Sequence, residues 1–161
     1  QGVTDAMIEA GVGEEWLSYG GGYEEQRFSP LDQSDEANVG QLGLAWYADL
    51  DTARGQEATP LMHDGTIYVS TAWSMVKAYD AKTGTLKWSY DPEVPRETLA
   101  RVCCDAVNRG VALYGDKVFV AALDGRLIAL DQQTGKEEWS SLVVPDQDSY
   151  AITGAPRVAK G

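Results

Sequence analysis

"GTIYVSTAWSMVKAYDAKTGTLKW" (residues 65–88) aligns with "DKVFVAALDGRLIALDQQTGKEEW" (residues 116–139) when one is slid along the other. Asp80 meets Asp131, Thr83 meets Thr134, Gly84 meets Gly135, and Trp88 meets Trp139, all at a spacing of 51. A constant period of about fifty residues marks a repeat architecture in which one supersecondary unit recurs.

The unit reads as β structure. "TIYVS" and "KVFVA" are β-branched and aromatic runs of strand length. "MVKAYD" and "RLIALD" follow as second strands, with "TAWS" or "LDGR" between them. Asp124-Gly125 predicts a two-residue hairpin loop. "DAKTG" and "DQQTG" predict turns in which Asp accepts backbone bonds and Gly takes positive φ. "TLKW" and "KEEW" make a further strand ending in Trp, while "TPLMHDG" (59–65) and "GVALYGD" (110–116) supply one before each unit. Four short antiparallel strands per unit is the layout of a propeller blade. A large flat Trp at a fixed place in each blade can pack against the next one.

Partial copies flank the two whole ones. "TGAPRVAKG" (153–161) aligns with "EATPLMHDG" (57–65), and "LAWYADL" (44–50) resembles a Trp-bearing outer strand. The expected division is an arm (1–43), an outer strand and link (44–58), a blade and link (59–109), a second blade and link (110–152), and the start of another blade (153–161). Propellers close with about four to eight blades, so two whole blades and two partial ones read as a piece of a longer protein.

Composition agrees. Five Trp and eight Tyr stand against two Phe, and Gly reaches 17. The formal charge of −12 argues against a nucleic-acid partner or an anionic membrane surface, both of which need a basic face. No apolar run is long enough to span a bilayer.

The repeat also gives the rest of the chain a geometry. Glu57, Asn108 and Thr153 each stand three residues before the start of an inner strand. Equivalent positions sit at one height around a propeller axis, so these residues, Arg109 beside them, and Cys103 and Cys104 in the preceding loop should share one face. Cys103 and Cys104 are the only cysteines. Adjacent cysteines are too close in sequence for the usual zinc spacings. A bond between them would join Cα atoms about 3.8 Å apart, below the roughly 4.4–6.8 Å of ordinary disulfides, and would close no long loop. The residues alone leave open a bridged pair offering a sulfur surface to a ligand, or two buried thiols.

Residues 15–50 ("EWLSYGGGYEEQRFSPLDQSDEANVGQLGLAWYADL"), "GQEATPLMHDGTIYVST" (55–71), "RVCCDAVNRGVAL" (101–113) and "AITGAPRVAKG" (151–161) together resemble the amino-terminal part of pyrroloquinoline-quinone (PQQ) dependent alcohol dehydrogenases. The resemblance implies an all-β, eight-bladed propeller with tryptophan-docking repeats, working in the periplasm. It implies that Cys103 and Cys104 form a vicinal disulfide against one face of the quinone, that Arg109 binds the cofactor, and that Glu57 and Thr153 hydrogen-bond around it. A guanidinium suits the carboxylates that PQQ carries. Glu57 would then need a donor, from Arg109 or from a protonated cofactor group. Asn108 takes a structural role.

The implied reaction oxidises a primary alcohol to an aldehyde by hydride transfer to the quinone, with calcium as Lewis acid and a cytochrome c as electron acceptor. The calcium ligands and the catalytic base fall outside the chain in this pattern, so none is assigned here and residues 1–161 alone are expected to be inactive. Membrane association is not indicated. The absence of Cys-x-x-Cys-His leaves a c-type haem only to a further domain. The rival reading is a non-enzymatic propeller scaffold of the outer-membrane assembly type, which needs neither the cysteines nor Arg109 and Glu57. A membrane-type quinoprotein glucose dehydrogenase fits "RVCCDAVNRG" less well.

Among the remaining residues, His63 reads as a surface or packed histidine. The adjacent pairs Glu14-Glu15, Glu24-Glu25 and Glu137-Glu138 read as solvated charge. "TDAMIEAG" predicts a short helix capped by Thr4 or Asp5 and stopped by Gly11.

Overall fold

The computed structural model describes residues 2–161. Two four-stranded antiparallel sheets form the body, in orders β1-β2-β3-β4 and β5-β6-β7-β8. The first comprises β1 (Leu61–His63), β2 (Thr66–Ser70), β3 (Val76–Asp80) and β4 (Leu86–Tyr90). The second comprises β5 (Val111–Tyr114), β6 (Lys117–Ala121), β7 (Arg126–Asp131) and β8 (Glu137–Leu142). Pairing follows the repeat: Thr66 faces Asp80 and Lys117 faces Asp131. Even the irregularity recurs, since the register slips between Ala78 and Tyr79 in one sheet and between Ala129 and Leu130 in the other. The Trp of each outer strand lies just beyond this slip.

The Asp-x-x-Thr-Gly turns work as their residue types predict. The Asp80 carboxylate accepts from Thr83 N at 2.8 Å and Thr83 Oγ1 at 2.9 Å. Asp131 accepts from Thr134 N at 2.8 Å and Thr134 Oγ1 at 2.6 Å. These donors hold both carboxyls below the usual Asp range, led by the Thr83 backbone N–H for Asp80 and the Thr134 hydroxyl for Asp131.

Gly84 and Gly135 follow at φ 72° and 70°. Each lies under a Trp: a Cβ on Gly84 would stand 2.5 Å from the Trp46 ring, and one on Gly135 2.4 Å from the Trp88 ring. Each indole N–H then donates into that turn, Trp46 to Ala81 O at 2.9 Å and Trp88 to Gln132 O at 3.1 Å. Glycine at these positions therefore supplies both the left-handed backbone and the room for the indole. Trp88 is 8% exposed, whereas Trp139 at the equivalent place is 40% exposed. No following turn covers Trp139 among the described residues.

The core lies between and within the sheets, where Val76, Ala78, Val118, Val120, Ile128 and Leu130 are fully buried. The arm adds helix α1 (Asp5–Glu9), whose N-cap is Thr4 accepting from Met7 N, and Gly11 follows at φ 74°. Val3 bridges to Gly115 and Trp16 to Met62, tying the arm to both sheets.

Two local expectations change. Residues 122–125 form a longer connection than the predicted two-residue loop, with Gly125 at φ 92°. Asp124 is buried and clamps Arg126 at 2.8 Å rather than sitting at an exposed tip. Residues 44–50 and 153–161 adopt no strand. A strand needs a ladder of backbone hydrogen bonds, and none forms along either segment among the described residues, although Thr153 O accepts from Arg109 N; Trp46 nevertheless docks as an outer-strand Trp does.

Candidate functional site

β1 and β5 run in the same sense from one end of the sheets, so the segments leading into them lie at that end together. The link before β1 carries Glu57, and the link before β5 carries both cysteines, Asn108 and Arg109. The structure joins Arg109 to both of its expected neighbours. Its NH2 lies 2.8 Å from Glu57 Oε2, and its NH1 donates to Thr153 Oγ1 at 2.6 Å. The backbone repeats these ties, with Arg109 N donating to Thr153 O at 2.9 Å and Thr59 N to Arg109 O at 3.3 Å. Three segments far apart in sequence therefore meet on one guanidinium. Arg109 and Glu57 keep 40% and 39% of their side-chain surface exposed, so both can still meet a ligand.

Cys103 and Cys104 are joined as a disulfide with Cα atoms 3.8 Å apart, and both residues are exposed. The alternative left open by the residues, two buried thiols, does not occur. Asn108 has the structural role given to it. It is 2% exposed, its Nδ2 donates to Ala121 O at 2.9 Å, and its Oδ1 accepts from Gly110 N at 3.1 Å. That holds Gly110 at φ 138° beside Thr59.

Sequence reasoning missed a second layer. Asp105, next to the disulfide at φ 75°, accepts from Ala106 N at 2.8 Å and pairs with Arg54. The Ala106 N–H first, and Arg54 after it, hold this carboxyl below its ordinary value. Arg54 and Arg96 both lie over the Trp73 ring, at 5.2 and 4.0 Å from its centroid. Trp73 N donates to Ala106 O at 2.8 Å, and buried Ser74 Oγ accepts from Leu123 N at 3.0 Å. One signal was available: Trp73 falls where the second repeat has Asp124, a break in the pattern.

Elsewhere, His63 is packed rather than exposed, with Nδ1 2.7 Å from Glu15 Oε2. The acidic pairs are less idle than expected. Glu15 also accepts from Asp64 N at 3.1 Å, Glu25 pairs with Arg157, and Glu138 pairs with Lys117 at 2.9 Å. Side chains from distant segments reach them, which adjacency in sequence does not reveal. No three His, Cys, Asp or Glu side chains converge as a metal cage among the described residues.

Over residues 16–140 the chain matches the family described as PQQ: Glucose/ethanol/alcohol dehydrogenase, beta-propeller domain. It is 60% identical over 162 residues to quinohemoprotein alcohol dehydrogenase ADH IIB of Pseudomonas putida, covering 99% of this chain and 24% of that protein. The crystal structure of quinohemoprotein alcohol dehydrogenase from Comamonas testosteroni matches with a TM-score of 0.93 and 51% identity, over 99% of this chain and 24% of that one. The crystal structure of BamB from Moraxella catarrhalis matches less well, with a TM-score of 0.55 and 25% identity over 69% of this chain and 34% of that one. The chain thus spans about a quarter of the length of its alcohol dehydrogenase relatives.

Proposed function

Because this chain belongs to the PQQ-dependent glucose/ethanol/alcohol dehydrogenase family, as part of its β-propeller domain, we propose that it supplies one wall of the quinone site of an alcohol dehydrogenase. The observation that carries this reading is the Arg109 fork, which reaches Glu57 and Thr153 and is preceded in the same link by an exposed disulfide. The donor set fits the cofactor. A guanidinium is matched to a carboxylate, a hydroxyl can turn to donate or accept, and an exposed sulfur pair offers a polarisable surface to a flat ring.

Arg109 would hold a cofactor carboxylate, and its link to Glu57 fixes the guanidinium before binding. Fixing it beforehand lowers the ordering cost of binding. Thr153 orients the same fork from the next blade start. Cys103 and Cys104 would limit how deep the ring can sit and exclude water from one of its faces. When bound, PQQ supplies the two-electron acceptor for oxidation of a primary alcohol to an aldehyde. This chain's residues bind and orient; none is proposed as the base.

Calcium has no cage among the described residues, so its ligands are proposed to come from the remaining length of the protein, together with any c-type haem. A small alcohol is the proposed substrate, a cytochrome c the proposed acceptor, and the periplasm the proposed compartment. No helix among the described residues is long and apolar enough to cross a membrane. We assign residues 44–58 to the outer strand and link of a blade completed by other parts of the protein. Trp46 docks on Gly84 as Trp88 docks on Gly135, which supports the assignment. Residues 1–43 then form an arm, 59–109 and 110–152 two blades with their links, and 153–161 the start of another.

The test is reconstitution of the full-length protein with PQQ and calcium. The expected result is a bound-quinone absorbance and dye-linked oxidation of primary alcohols. Absence of both would favour the scaffold reading.

A further inference from the structure

We infer that Asp105, acting through Arg54, is a positioning residue for the bound quinone: it fixes the Cys103–Cys104 loop against the segment that carries Glu57. The inference rests on the quinone-site reading above. Arg54 lies three residues before Glu57, and Asp105 directly follows Cys104. Their ion pair therefore ties the edge of the proposed site, where Glu57 and Arg109 sit, to the sulfur surface.

The tie is built rather than casual. Asp105 sits at φ 75°, a region that costs most side chains and that Asp tolerates better than most. Its Oδ1 accepts from its own neighbour, Ala106 N, at 2.8 Å while it holds Arg54. The Ala106 carbonyl in turn accepts from Trp73 N at 2.8 Å. Trp73 and Ser74 are both left-handed, at φ 64° and 60°, so the β2–β3 turn is held in a strained form. That form lays the indole under Arg54 and Arg96. Two guanidiniums on one indole repel each other, and Asp105 is the carboxylate that offsets them at Arg54. Arg54 and Asp105 are 38% and 36% exposed, so the pair adds little to folding stability. Its effect should appear in the spacing of the two walls.

The experiment uses the full-length, quinone-loaded protein. Quinone release is followed by loss of bound-quinone absorbance after dilution, and thermal unfolding is recorded for the quinone-free form. Asp105→Asn and Arg54→Gln should each speed release about three- to tenfold, the range left by a charged hydrogen bond discounted for exposure. The double variant should release no faster than the faster single one, because both break one tie. Quinone-free melting should move by less than about 2 °C in each case. Should Asp105→Asn fail to fold, Arg54→Gln reads the same tie from its other end. Release at the wild-type rate in the variants would overturn the inference. So would effects that multiply in the double variant, or a loss of folding stability large enough to account for the faster release. A wild-type protein that takes up no quinone would overturn the cofactor reading and this inference together, whereas wild-type uptake with indifferent variants would overturn this inference alone.

Discussion

At the end of the sheets away from the proposed quinone, the two blades match at the residues that build the turn. Asp80 and Asp131 accept from Thr83 and Thr134, Gly84 and Gly135 turn left-handed, and Trp46 and Trp88 cover them. At the other end the blades diverge. Trp73 stands where the repeat has Asp124, and the link carrying the disulfide has two cysteines found nowhere else in the chain. The shared end builds blades, and its residues are the same because each blade needs the same turn. The divergent end is the one proposed to meet the quinone, which is not itself repeated. Departure from the period is therefore a better guide to the site than any residue type alone.

The contrast can be broken most sharply at Trp88. Trp88→Ala in the full-length protein should cost about 3–5 kcal/mol of folding stability, measured by denaturant unfolding, because a buried indole and its bond to Gln132 are lost together. Arg109→Ala should do the reverse, weakening quinone binding about 100-fold while changing melting little. An equal loss of folding stability from Arg109→Ala would mean that the two ends are not separable. Gly135→Ala should cost about 1–3 kcal/mol, since its Cβ would meet Trp88 and its φ of 70° disfavours a side chain.

The smallest effect is expected in acid. Asp131 titrates lower in the folded protein than unfolded, so its contribution is present above about pH 4 and is lost as pH falls through the folded value. Thr134→Ala removes the leading donor. Its deficit relative to wild type should be largest at pH 6 and should shrink as Asp131 protonates, leaving in strong acid only the part due to the bond from Lys136 N to the Thr134 hydroxyl.

Much of this was legible in the sequence because it repeats. The period of 51 fixed strand order, turn chemistry and the expectation that each tryptophan packs against a neighbouring blade. The meeting of Glu57, Arg109 and Thr153 followed from equal height around the axis, and the resemblance supplied the disulfide. The Arg54–Asp105 tie, the His63–Glu15 contact and the Arg157–Glu25 pair were not legible. They join ordinary surface residue types across separations that no local rule spans. The Asp124-Gly125 hairpin was misjudged in length because Asp124 turns inward to Arg126, a tertiary preference that outweighs the turn signal.

The bond between Cys103 and Cys104 spans a single peptide link, so cutting it frees almost no additional chain in the denatured ensemble. A reductant should therefore act on this protein less as a denaturant than as a selective chemical eraser. Applied to the quinone-free chain, and removed before quinone (which it would also reduce) is added, it would remove the sulfur platform while leaving the melting curve nearly where it was, so that folding and later quinone uptake can be read apart without a mutation.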